Sequence, residues 1–240
     1  MKEKHVFFNP FRLISPKLDS EASRLEELYE SPPADVSCLE EGLLVMLSKL
    51  IEMTDIAHKS LVMYDPDKMK KCEHLATEIH QEEKTLTGDL VCSPATTGEV
   101  LRALVLFPGR LERVGDLLES TINVARIKSR DGIPFSDKAF AELDQLFGLF
   151  VDVLKHCRDA IVTVNPTLLA HLAVQQKQVA QMTLDFALAH EDRLLGGLCS
   201  PKASSLYLDI LDSIKGANEH LTKMVDALLS LDQTHPPVTH

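Results

Sequence analysis

LEEGLLVMLSKLIEMTDIAHKSLVMYDP, residues 39–66, is the stretch on which the fold turns. Its apolar side chains Leu39, Leu43, Met46, Leu47, Leu50, Met53, Ala57 and Leu61 recur at three- and four-residue steps. That spacing lays one continuous stripe along an α-helix and fits no strand. Asp65-Pro66 closes it, because a residue ahead of proline is pushed out of the helical region while the proline itself can open a new helix. The same grammar returns at an offset of 100 residues, laying Leu43 on Leu143, Leu47 on Phe147, Ile51 on Val151 and Glu52 on Asp152. Leu61 then falls on Ile161, Val62 on Val162, and Asp65-Pro66 on Asn165-Pro166. An internal repeat of helices is the reading.

Working outward, breakers divide the chain into six helices. The first spans about Asp35–Tyr64 and the second runs from Pro66 to about Leu90. Ser93-Pro94 separates them from a third, opened by the capping box of Thr96 and Glu99 and reaching about Lys128. Asp131-Gly132 is a turn, and Ser136 caps a fourth helix ending near Val164. The fifth runs from Pro166 to Gly196-Gly197, and the sixth from Ser200-Pro201 to about Leu231. An offset of 107 residues aligns the third helix with the sixth: Leu101 on Leu208, Leu104 on Leu211, Gly109 on Gly216 and Glu112 on Glu219. The expected architecture is all-α, with two tandem antiparallel three-helix bundles formed by duplication, residues 35–130 and 131–231. A leader, residues 1–34, carries a short polar helix near Asp19–Tyr29 before Pro32-Pro33, and residues 232–240 read as a disordered tail.

Composition narrows the function. The chain has a formal net charge of -11, which opposes nucleic-acid phosphates and anionic headgroups and suits cations or a basic patch on a partner. No apolar run approaches the ~20 residues of a membrane span. The apolar cluster Phe7, Phe8, Phe11, Leu13 and Ile14 is interrupted by Asn9, Pro10 and Arg12, unlike a signal peptide. Cys38, Cys72, Cys92, Cys157 and Cys199 are scattered, odd in number and form no CxxC, as expected of small hydrophobes in a reducing cytoplasm. Nucleotide-binding, nucleophile-elbow and HExxH motifs are absent from the sequence, so nothing in it asks for an enzyme.

The richest chemistry lies in Gly109-Arg-Leu-Glu112-Arg113-Val-Gly-Asp116-Leu-Leu-Glu119. Glu112 and Asp116 stand four apart on one helical face, where like charges repel unless solvent, an arginine or a metal compensates them. Glu52 and Asp55 on the first helix, with His58 a step further, are candidates to complete an oxygen-rich site across the bundle. A solvated acidic face is the plainer reading of the spacing alone. Pro108, costing ~3 kcal/mol inside a helix, either kinks the third helix or marks where it restarts. In the second half Lys223 takes the place of the second acid, four residues after Glu219, and is expected to neutralise it as an ordinary helix pair.

The segment Leu-Glu112-Arg113-Val-Gly-Asp116, followed by Asn123-Val-Ala125, resembles the closing helix of the PhoU family of phosphate-uptake regulators. Tyr207 to His220 occupies the same place in the second copy, and His190-Glu-Asp-Arg193-Leu is similar to the PhoU-like tail domain of sodium/phosphate cotransporters. The resemblance covers about residues 35–231. It implies a non-enzymatic cytoplasmic regulator or accessory protein, docking through acidic helices on a phosphate transporter or phosphate-sensing membrane protein. Arg113, Glu119 and Glu219 are the expected partner-facing residues; membrane contact would come through the partner only, with no nucleic acid involved, and a homodimer is compatible. In some members the Glu/Asp-x-x-x-Asp motifs hold iron or another divalent or trivalent metal, which here would fall to Glu112, Asp116, Glu52 and Asp55. The motif is intact only once: the second copy reads Glu219-x-x-x-Lys223, and the second and fifth helices carry Glu73-x-x-x-Thr77 and Lys177-x-x-x-Gln181. The alternative function is a carboxylate-bundle metalloprotein with iron or manganese and redox or hydrolytic activity.

Overall fold

The computed structural model describes residues 34–92, 104–163 and 165–234. The leader helix near Asp19–Tyr29, the Thr96–Glu99 capping box, Leu101 and residues 235–240 lie outside the described residues. Six long helices follow one another: α1 Ala34–Val62, α2 Pro66–Cys92, α3 Phe107–Arg130, α4 Asp137–Thr163, α5 Pro166–Leu195 and α6 Pro201–Thr234. Helix α6 thus continues past Leu231 to Thr234, where sequence reading ended it.

Local chemistry explains the starts. The Asp65 carboxylate accepts from the backbone N–H groups of Asp67 and Lys68 at 3.0 and 3.4 Å. Asn165 does the same for Thr167 and Leu168 at 2.9 and 3.2 Å. Each cap precedes a proline whose missing N–H costs nothing in the first turn. Ser136 Oγ accepts from Ala139 N, capping α4 as its sequence indicated. Pro108 resolves in favour of the break: α3 begins at Phe107 and the proline sits in its first turn.

The three-residue link between α1 and α2 and the two-residue link, 164–165, between α4 and α5 force antiparallel neighbours. Helices α1, α2 and α3 pack on one another, as do α4, α5 and α6, giving the two bundles. The bundles meet along α1 against α4 and, most extensively, α3 against α6. All eight stripe residues of α1, from Leu39 to Leu61, are fully buried. The helix is buried over a broad face because it packs against three others, α2, α3 and α4. At the α1–α4 joint His58 stacks on Phe147 with ring centroids 5.0 Å apart, and its Nε2 lies 3.3 Å from Asp144. The repeat therefore persists in caps and core alike: Leu43 and Leu143, Leu47 and Phe147 are buried, while Val62 and Val162 are both exposed.

Candidate functional site

Between α2 and α3 runs a cleft of about 290 Å³. Its walls are Ala76, Thr77, Ile79 and His80 from α2 and Glu112, Gly115, Asp116 and Glu119 from α3. Gly115 leaves room, since even an added Cβ would stay 3.7 Å from Ile79 and Leu50. The repulsion between Glu112 and Asp116 is compensated from within the protein. His80 Nδ1 lies 3.0 Å from Glu112 Oε1, and Arg113 spans the acid pair, donating to Asp116 Oδ2 at 2.9 Å with its Nε 3.8 Å from Glu112 Oε2. Glu119 has less help. Burial, then the charges of Asp116 and Glu73, push its pKa up from the usual carboxylate range.

Glu52 and Asp55 do not line this cleft. Glu52 pairs with Lys71 of α2, and Asp55 accepts from Lys59 one turn along α1 at 2.7 Å. Among the described residues no group of three or more His, Cys, Asp or Glu side chains is arranged to hold a metal ion. Glu112 is engaged by His80 and Arg113, and Asp116 by Arg113, so basic side chains compensate the acid pair in this structure.

A second cleft, of about 390 Å³, lies between α5 and α6. It is lined by Ala173, Gln176, Lys177, Ala180, Glu219, Thr222, Lys223 and Asp226. At the repeat's own offsets these are the same positions: Gln176 answers Ala76, Lys177 Thr77 and Ala180 His80. On the other wall Glu219 answers Glu112, Thr222 Gly115, Lys223 Asp116 and Asp226 Glu119. The duplication has kept the cleft and changed its charge, from three carboxylates beside an imidazole to two carboxylates facing two ammonium groups. The expected helix pair does not form, since Glu219 and Lys223 make no ion pair among the described residues. Lys223 has an open groove to extend into, and an exposed i,i+4 pair gains only about 0.3–0.5 kcal/mol.

A third feature escaped sequence reading. Glu142 of α4 is 2 % exposed and receives Arg193 of α5 in a bidentate pair, at 2.8 and 2.7 Å. Tyr207 of α6 donates its hydroxyl to the same carboxylate at 2.6 Å. His190 stacks on the Tyr207 ring at 4.5 Å, and its Nε2 lies 2.7 Å from Ser204 Oγ. Cys199 Sγ is 3.9 Å from that nitrogen, at the edge of a cavity of about 240 Å³. Burial, then the Arg193 charge, lower the His190 pKa. The Glu142 oxygens are filled by Arg193 and Tyr207, so the cluster is a clamp on three helices. His190 and Arg193 stood out in the sequence, but Glu142 did not. Its phase, three residues after buried Ala139 and four before buried Leu146, was the signal for a carboxylate in the core stripe.

These elements define a class: all-α proteins of two duplicated three-helix bundles, each with a polar cleft between its second and third helices. No protein-family model and no curated protein matches the chain. Solved structures do. PhoU from Pseudomonas aeruginosa aligns with a TM-score of 0.76 at 15% identity, covering 84% of this chain and 99% of that one. The phosphate transport system regulatory protein PhoU from Streptococcus pneumoniae aligns at 0.72 and 14%, covering 83% and 96%. The fold is PhoU-like, as the Glu-Arg-Val-Gly-Asp segment indicated.

Proposed function

We propose that this protein is a non-enzymatic regulator of phosphate uptake, acting in the cytoplasm by docking on a transporter or phosphate-sensing membrane component. The observation that carries the reading is the end-to-end match, which leaves almost nothing of the Pseudomonas aeruginosa PhoU chain uncovered. The sites support a binding role: the carboxylates of the first cleft are held by Arg113 and His80, and Glu142 is saturated. The acidic faces of α2 and α3 are the docking surface in this reading, with Glu119 and the Arg113-bridged acid pair at its centre and Glu219 at the matching place on α6. No described helix is long and apolar enough to cross a membrane, so the partner supplies the membrane contact in this proposal.

The test is deletion of the gene, followed by measurement of phosphate uptake and of a starvation-responsive reporter under scarce and replete phosphate. An altered response, with co-purification of a transporter or sensor that weakens as salt rises, is the expected result. An unchanged response in both media would overturn the reading.

A further inference from the structure

The two clefts occupy one position in the repeat, yet only the first contains its own counter-ions. In the second, Ala180 replaces His80, so Glu219 lacks the imidazole that Glu112 has, and the space is larger. Lys177 enters from the α5 wall and Lys223 from the α6 wall, and neither forms an ion pair among the described residues. Beside them Gln176 is 2 % exposed, and neither its Nε2 nor its Oε1 has a hydrogen-bond partner. An amide buried without partners is costly, and a bound water, ion or ligand in the cleft would relieve that cost. Thr222 does not fill the need, because its hydroxyl donates to the Asn218 carbonyl.

We propose that the α5–α6 cleft binds a small oxyanion, held between the ammonium groups of Lys177 and Lys223 with the Gln176 amide as a further donor. Two cations on opposite walls and an N–H donor are the elements of such a site. The net charge of -11 does not forbid it, since the field of distant carboxylates is screened over about 8 Å at physiological ionic strength. Glu219 and Asp226, on the same wall as Lys223, add selectivity. A carboxylate next to the anion repels a fully deprotonated one and accepts a hydrogen bond from one that still carries an O–H. Hydrogen phosphate has that donor and sulfate does not. The site is argued from the cleft alone and stands apart from the regulatory role.

Titration of the full chain with orthophosphate, sulfate and acetate, followed by calorimetry and amide chemical shifts, tests it. Expected are saturable binding of orthophosphate with shifts centred on residues 173–180 and 219–226, and sulfate weaker by about tenfold or more. Lys177→Met with Lys223→Met should lose binding by at least about tenfold, and Gln176→Leu should weaken it by a smaller factor. Both lysines are exposed, so circular dichroism and the melting midpoint should stay unchanged and separate lost binding from lost folding. Glu112→Gln with Asp116→Asn, in the other cleft, should leave binding intact. No saturation by any of the three anions below about 10 mM, or affinity indifferent to the lysine changes, would overturn the site. Sulfate binding as well as phosphate would overturn the role given to Glu219 and Asp226.

Discussion

Replacing Glu142 removes the shared acceptor of two groups at once. Arg193, only 16% exposed, would keep a nearly buried charge, and the fully buried Tyr207 would lose its hydroxyl partner. Glu142→Ala should therefore cost about 3–5 kcal/mol in urea unfolding, as breaking a buried pair does, and Arg193→Ala should fall in the same range. The double change Glu142→Leu, Arg193→Met should recover most of the loss; a double variant as unstable as the singles would show that the clamp adds more than it costs. Lys138, 68% exposed and 3.7 Å from the same carboxylate, should matter little when cut to alanine. The histidines give a pH signature. Burial chiefly depresses His58, His190 and His220, with Arg193 adding to the effect at His190 and Lys223, Arg110 and Arg113 at His220. The unfolded chain then binds more protons than the folded one below the ordinary histidine value of 6.5. Stability is thus fully present above that pH and declines as pH falls through it, and His190→Gln should shallow the decline in urea midpoints between about pH 7.5 and 5. Glu119, shifted the other way, loosens the fold as pH rises past the usual carboxylate range, so Glu119→Gln should raise stability at neutral pH. At this scale the sequence was readable for charges sharing a helix face, as with Glu112, Arg113 and Asp116. It was not readable for Glu142, whose partners lie 51 and 65 residues away.

Helix boundaries were legible wherever a side chain caps or a proline forbids continuation. Asp65-Pro66 and Asn165-Pro166 were read correctly because both residues act locally, through bonds reaching two and three residues ahead. Asp65→Ala and Asn165→Ala should each cost about 1 kcal/mol, the ordinary price of a lost N-cap, and Asn165→Asp should cost far less. At Pro108 the sequence left a kink and a restart both open, for an equally physical reason. Apolar residues continue in helical phase through Leu101, Leu104 and Val105, and periodicity cannot see a break that does not disturb it. The start at Phe107, with Leu106 as an N-cap lacking any side-chain bond, leaves Pro108 in the first turn. Pro108→Ala should then change stability by well under the ~3 kcal/mol that relieving an interior proline would give, a difference easily measured by thermal or urea denaturation.

At the scale of the molecule the repeat was visible as two bundles, but how they join was not, because a stripe of leucines does not name the helix it will meet. The joint is tight where α6 passes α3: a Cβ on Gly216 would approach Leu117 Cδ1 to 3.2 Å, whereas one on its counterpart Gly109 would meet nothing within 4 Å. Gly109→Ala should therefore gain up to about 1 kcal/mol from helix propensity, and Gly216→Val should lose about 1–3 kcal/mol by wedging the joint. The buried apolar side chains form one cluster that runs through both bundles, with Phe147 and Phe150 of α4 wholly enclosed and His58 of α1 laid flat on Phe147. A bundle separated from its twin would expose the α1 and α3 faces that α4 and α6 now cover. Apolar area of that extent is worth roughly 25 cal/mol per Å² when removed from water, which is large against the few kcal/mol by which small domains are stable. The full chain should accordingly unfold in one transition, with far-ultraviolet circular dichroism and calorimetry coinciding. The fragment 34–132 should either lack a cooperative melt or pair with itself, a second copy standing in for the missing bundle, as sedimentation would report. A monomeric fragment melting as sharply as the full chain would show instead that each bundle is self-sufficient and that the α3–α6 joint only orients them.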